Sequence, residues 1–176
     1  MIVFKIAKVE KLNNPLSENI LLHCHEKYKG EKLTESLFAY QSLSLLYKEK
    51  TGKVLPEISF NESGKPICNE ISVTLSHDSG VIAVGFSTEK TYIGVDVEEI
   101  KDKKPNVTKL LGLSESCSNE DFYLEWTKKE ALKKSLNLSL FKGKTKEFIG
   151  ESKIVTVDGK KYALSVYSKE SYESNF

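Results

Sequence analysis

Tyr92-Ile93-Gly94-Val95-Asp96-Val97-Glu98 is the stretch around which the chain is organised. Ile93, Val95 and Val97 alternate with Gly94, Asp96 and Glu98. A period of two predicts a β-strand with one buried face. The alternation puts both carboxylates on the other face, two residues apart, and Gly94 is expected to leave open space beside them. Like charges this close repel unless something positive sits between them. A hard divalent cation such as Mg2+ meets that need, because it prefers oxygen ligands and keeps positions open for phosphate. The same pattern also serves a half-exposed strand with a polar outer face. The functional reading therefore depends on what else in the chain joins this strand.

At 176 residues the chain is long enough for one sizeable domain or two small intimate ones. Apolar residues make up 39% and charged residues 29%, the balance of an ordinary globular protein. A formal net charge of +1 argues against a dedicated nucleic-acid binder. The sequence contains no Arg, so every fixed positive charge is a Lys. A phosphate site must then use point-charge ammonium groups rather than guanidinium forks. Cys24, Cys68 and Cys117 form an odd, scattered set, which predicts reduced thiols and a cytoplasmic protein. Met1 to Lys8 is apolar but short and interrupted by Lys5, so neither a signal segment nor a membrane span is expected.

Ile2 to Val9 reads as a strand, broken at Asn13-Asn14-Pro15, and Glu18 to Lys29 as a helix. His23-Cys24-His25 lies on that helix, where the three side chains splay apart and do not make a metal site. Lys32 to Lys50 is a second helix, with Leu33, Leu37, Tyr40, Leu43, Leu46 and Tyr47 at helical spacing and Thr51-Gly52 as its stop. Ile58 to Phe60 predicts a short strand entering the turn Asn61-Glu62-Ser63-Gly64-Lys65-Pro66. Such a turn can present backbone N–H groups and the Lys65 ammonium to a phosphate or an adenine edge, or be a plain surface turn. Ile71 to His77 and Val81 to Phe86 predict two more strands, bringing His77 and the carboxylate strand to the same region on adjacent antiparallel strands. His77 is either a structural histidine or a ligand contact.

Lys101 to Lys104 reads as the link between two halves. Ser118-Asn119-Glu120-Asp121 predicts a capped helix over Glu120 to Ser135. Phe122, Trp126 and Ala131 belong to its buried side. Trp126, Glu130 and Lys134 follow at four-residue spacing on one stripe, flanked by Lys129 and Lys133. A stripe that includes the sole Trp is expected to be docked rather than solvated. Asp158-Gly159 between two alternating runs predicts a hairpin, and Lys169 to Phe176 a loose tail.

Three blocks together resemble the 4'-phosphopantetheinyl transferases. They are Asn61-Glu62-Ser63-Gly64-Lys65-Pro66; Leu75-Ser76-His77 leading to Gly94-Val95-Asp96-Val97-Glu98; and Trp126-Thr127-Lys128-Lys129-Glu130-Ala131-Leu132-Lys133-Lys134. Residues 1–93 precede the Gly-Val-Asp block, so the chain is similar to the larger, pseudo-dimeric (Sfp-type) class. The resemblance implies an α+β fold of two similar helix-plus-antiparallel-sheet halves related by a pseudo-twofold. The halves would be residues 1–100, carrying the Gly-Val-Asp-Val-Glu strand, and 101–176, carrying the Trp-Thr-Lys-Lys-Glu-Ala helix.

The resemblance also implies Mg2+-dependent (or Mn2+-dependent) transfer of the phosphopantetheine arm of coenzyme A to a serine of an apo acyl or peptidyl carrier protein. A monomer is expected, with no nucleic-acid or membrane partner. Asp96, Glu98 and Glu130 would hold the metal. Glu130 would take the serine proton, directly or through water. Lys134 and Lys129 would stabilise the diphosphate, Lys65 and Pro66 would line the adenine end, and Ser76 and His77 would meet phosphates. Family members carry Arg on and before the first long helix to grip the 3'-phosphate. Here Glu35 falls near one such position, with Lys27, Lys29 and Lys32 as possible substitutes. A catalytically weak protein that binds coenzyme A or a carrier is the alternative.

Overall fold

Residues 1–10, 15–103, 105–136 and 148–175 are described by the structure, a computed structural model. The expected break at Asn13-Asn14, the Lys104 end of the linker and Phe176 lie outside them. β1 (Ile2–Lys8) is followed by α1 (Glu18–Lys27) and α2 (Gly30–Thr51). β2 (Ser59–Phe60) and β3 (Pro66–Ile67) flank the Asn61–Lys65 turn. β4 (Ser72–Asp78), β5 (Val81–Ser87) and β6 (Ile93–Glu99) come next. α3 (Pro105–Leu110) and α4 (Asn119–Leu136) precede β7 (Gly150–Val157), β8 (Lys160–Ser168) and β9 (Glu173–Asn175). This is a mixed α+β fold.

Local chemistry explains the boundaries. α2 stops where Gly52 turns left-handed, at φ 70°, and its N–H caps the Lys48 carbonyl at 2.8 Å. α4 starts where the Ser118 hydroxyl accepts the Asp121 N–H at 3.0 Å and donates to the Asp121 carboxylate at 2.7 Å. The β7–β8 hairpin closes through Asp158 and Gly159, at φ 50° and 76°, as the Asp-Gly pair predicts. β4 and β5 close in the same way through Ser79 and Gly80, at φ 50° and 83°.

The strands form a four-stranded sheet ordered β4-β5-β1-β9, the small β2-β3 ribbon, and a three-stranded sheet ordered β6-β8-β7. The layers follow from side-chain alternation. Ile82, Val84 and Phe86 face α1 and α2, packing with Leu43, Leu46 and Tyr47. Val81 and Ala83, with Ile2 and Phe4, face the other way onto Val95 and Val97 of β6 and Leu164 and Val166 of β8. β5 is therefore buried along its whole length, as its nearly all-apolar sequence requires. The opposite face of the second sheet packs Ala163 and Tyr167 against α4. Among the described residues no helix is long and apolar enough to cross a membrane.

Three expectations are corrected. First, the carboxylate strand does not lie in the sheet that holds His77. β5 already has β4 on one edge and β1 on the other, so β6 crosses to the second sheet and pairs with β8. Second, the tail beyond Lys169 is not loose. Glu173–Asn175 pairs in parallel with Val3–Lys5, Tyr172 meets the Phe4 ring edge-on at 5.3 Å, and Glu173 pairs with Lys50. β9 thereby covers a strand edge that would otherwise expose unpaired backbone groups. Third, Gly94 does not border open space. A Cβ placed there would lie 1.9 Å from the Ala131 carbonyl oxygen, so α4 rests directly on the β6 backbone.

Candidate functional site

β4 and β6 are the facing edges of the two sheets, and β4 meets β6 through side chains. The Val95 N–H donates to Thr74 Oγ1 at 3.1 Å, and the Glu99 N–H donates to Asp78 Oδ2 at 3.0 Å. Between these two links the Ser76 hydroxyl donates to Asp96 Oδ1 at 2.8 Å. Thr74, Ser76 and Asp78 share one face of β4, so period two supplies all three contacts. Over this seam, α4 on one side and α1, α2 and the Asn61–Lys65 turn on the other enclose a cavity of about 790 Å³.

Lys65, Pro66, Ser76, His77, Asp96, Glu98, Glu130 and Lys134 all line this cavity. Lys129 does not line it; its ammonium reaches the Leu111 carbonyl at 3.3 Å. At helical spacing Lys129 precedes Glu130 by one position, so it projects off the Trp126-Glu130-Lys134 stripe.

Asp96 is only 3% exposed. Its Oδ1 accepts from Ser76 and from Lys134 Nζ at 2.6 Å, and Lys134 also donates to the Val95 carbonyl at 3.2 Å. Among the described residues Asp96 Oδ2 is buried with no hydrogen-bond partner. Glu98 receives the Trp126 indole N–H at 3.4 Å. Burial, and then the charges of Asp96 and Asp78, push the Glu98 carboxyl up to about 7. Glu130 pairs with Lys133 at 3.2 Å. Lys65 donates to the Lys134 carbonyl at 2.6 Å, tying the turn to the last turn of α4. Asn61 Oδ1 holds that turn by accepting the Ser63 and Lys65 N–H groups.

Among the described residues no three His, Cys, Asp or Glu side chains converge closely enough to cage a metal by themselves. The three expected metal ligands thus reach one cavity without meeting at one point. Asp96 and Glu98 nevertheless fit a divalent cation. They are a like-charge pair two residues apart, Asp96 buried and Glu98 half-buried, and one Asp96 carboxylate oxygen lacks a partner. A site with two protein carboxylates leaves the remaining positions for phosphate and water, the usual habit of Mg2+.

On α1, the His23-Cys24-His25 side chains do separate. Cys24 is buried against the Ser36 hydroxyl, while His23 stacks on Phe60 at 3.6 Å. All three cysteines are free thiols. Of the three candidate lysines, Lys27 lines the cavity. Lys29 donates to the His25 carbonyl at 2.9 Å, and Lys32 pairs with Asp78 at 2.8 Å and Glu35 at 3.2 Å. Tyr28, Ser36 and Tyr40 also line the cavity and were not singled out from sequence. Tyr40 sits at an apolar-periodic position of α2, which gives no sign that it borders a cavity.

The Glu98 environment makes a prediction. Its folded-state value lies above the ordinary carboxylate value of 4.5, so the fold favours the protonated form. The associated stability is fully present below pH 4.5 and is lost as pH rises through about 7. Glu98→Gln should therefore gain on the wild type across that window, by about 3 kcal/mol above it. Urea unfolding of both proteins in EDTA, from pH 4 to pH 8, measures the gap. A gap that does not change with pH would mean that Glu98 is ordinarily solvated.

No protein-family model matches the chain, and no curated protein matches it in sequence.

Proposed function

We propose that the protein transfers the 4'-phosphopantetheine arm of coenzyme A to a serine of an apo acyl or peptidyl carrier protein. One observation carries this reading. Three blocks far apart in the chain, around Lys65, Ser76 with Asp96, and Glu130 with Lys134, line one cavity. In the step, the serine Oγ attacks the β-phosphorus of coenzyme A. The bond from that phosphorus to the bridging oxygen breaks, 3',5'-ADP leaves with the electron pair, and Glu130 accepts the serine proton. Lys134 and Lys133 bring positive charge to the wall where the diphosphate gains negative charge. Asp96 and Glu98, with Glu130 across the cavity, would hold Mg2+ (or Mn2+), which supplies charge neutralisation on the diphosphate when bound.

The layering supports the two-half architecture of this class. The first sheet has α1 and α2 on its outer face, the second has α4, and a pseudo-twofold would relate them. The protein is proposed to act as a cytoplasmic monomer, because one chain supplies both sides of the cavity.

A second reading, a catalytically weak binder of coenzyme A or a carrier, draws support from the internal pairing of Lys134 with Asp96 and Lys133 with Glu130. Incubation with coenzyme A, Mg2+ and an apo carrier, followed by mass measurement of the carrier, separates the two. The transferase adds the mass of one phosphopantetheine arm. Binding without a mass gain selects the second reading.

A further inference from the structure

Among the described residues Asp96 has one cationic partner, Lys134. The ammonium donates to Asp96 Oδ1 at 2.6 Å and to the Val95 carbonyl at 3.2 Å. The Asp96 side chain is 4% exposed and that of Lys134 29%, so the carboxylate is sunk in the seam while the ammonium borders the cavity. The Lys134 backbone is fixed beside β6 from two directions. At Gly94 the α4 backbone lies against the strand, and Lys65 donates to the Lys134 carbonyl at 2.6 Å. The ammonium can therefore turn about its own side-chain bonds, but it stays within reach of Asp96.

That position sets a sign. Asp96 and Lys134 together carry no net charge. A divalent cation held by Asp96 and Glu98 meets a carboxylate already neutralised, with a like charge on it. Using Oδ2 keeps that ammonium as a neighbour; using Oδ1 displaces it. Either route costs affinity, and the burial of Asp96 leaves little water to screen the repulsion. Lys133 on Glu130 is a weaker version of the same contact, because its side chain is 39% exposed. A diphosphate reverses the sign. Its oxygens are ligands for the metal and acceptors for the ammonium, so it brings negative charge to both cations at once.

Resting on the coenzyme A reading of the cavity, we propose that Lys134, as the counter-ion of Asp96, makes the metal and the diphosphate of coenzyme A bind as a coupled pair. It opposes a divalent cation that arrives alone and ceases to oppose one that shares the cavity with a diphosphate. This is a role in binding, exerted before any carrier protein arrives, and it is separate from stabilising the reacting phosphate.

Mn2+ is the probe. Free Mn2+ is read by electron paramagnetic resonance, with a protein-free blank for the metal that coenzyme A itself holds. The wild type, Lys134→Gln and Lys134→Arg are titrated with and without coenzyme A, whose binding is followed by dialysis of the same samples. The wild type should bind Mn2+ about tenfold tighter with coenzyme A than without. Lys134→Gln, whose amide can still donate to Oδ1, should bind Mn2+ alone about tenfold tighter than the wild type and Mn2+ with coenzyme A about equally, so the coupling is lost. Lys134→Arg keeps the charge and should keep the coupling. A purely structural Lys134 would instead weaken Lys134→Gln in both states. Lys134→Gln that binds Mn2+ alone no tighter than the wild type overturns the inference and leaves the coenzyme A reading standing. A gain of equal size with and without coenzyme A also overturns it, since Lys134 then couples nothing. The wild type decides without any variant as well: coenzyme A that binds but changes Mn2+ affinity less than about twofold overturns the inference. If the wild type binds no coenzyme A even with Mn2+, the coenzyme A reading itself falls, and this inference falls with it.

Discussion

Glu130→Gln should slow single-turnover transfer to an apo carrier about a hundredfold or more and stay slow at saturating Mg2+. The substitution is isosteric and keeps an acceptor for Lys133, so the helix is undisturbed. In the proposed transfer it removes the ability to take the serine proton, and mass action on the metal does not restore that. Glu98→Gln is the internal comparison. Glu98 is proposed to hold metal only, so its loss weakens binding, and excess Mg2+ should recover much of the rate. A Mg2+ titration of both variants, read as first-order rates, separates the roles. Full recovery of Glu130→Gln would assign the proton to water or to another group.

Gly94→Ala should cost about 3 kcal/mol or more of folding stability, at the upper end for overpacking. The added methyl would lie 1.9 Å from the Ala131 carbonyl oxygen and 3.1 Å from the Ser135 N–H. Both are backbone atoms of α4, so no rotamer change relieves the clash. The helix must lift from β6, and it carries Trp126, Glu130 and Lys134 with it. Urea unfolding measures the loss. Near-wild-type stability would mean that α4 does not rest on the β6 backbone.

What was legible in the sequence was local. The Asp158-Gly159 hairpin, the Gly52 stop and the Ser118 cap each follow from a few neighbouring residues whose backbone angles or hydrogen bonds admit little else. Period two correctly put Asp96 and Glu98 on one face, and four-residue spacing put Trp126, Glu130 and Lys134 on one cavity wall. Non-local pairing was not legible. Alternation tells which face of β6 is buried but not which strand lies beside it. A three-residue strand such as β9 is too short to carry a period. Gly94 read as open space because a missing side chain looks the same whether solvent or a helix fills the gap. Glu35 read as the loss of a cation. Its burial against His77 and Gly80 depends on the β4–β5 turn, which the Ser79-Gly80 dipeptide could have announced.

The pairing of β6 with β8 has a consequence for biosynthesis. The strand that bears Asp96 and Glu98 is made long before residues 160–168, its hydrogen-bonding partner, leave the ribosome. Until then β6 is an open edge with an apolar face, held to β4 only through side chains. β1 likewise waits for β9. The nascent chain can complete neither sheet in order of synthesis, so its final collapse is a late, long-range event, of the kind that slows folding. A product stalled short of β8 would display the carboxylate strand as a sticky ribbon.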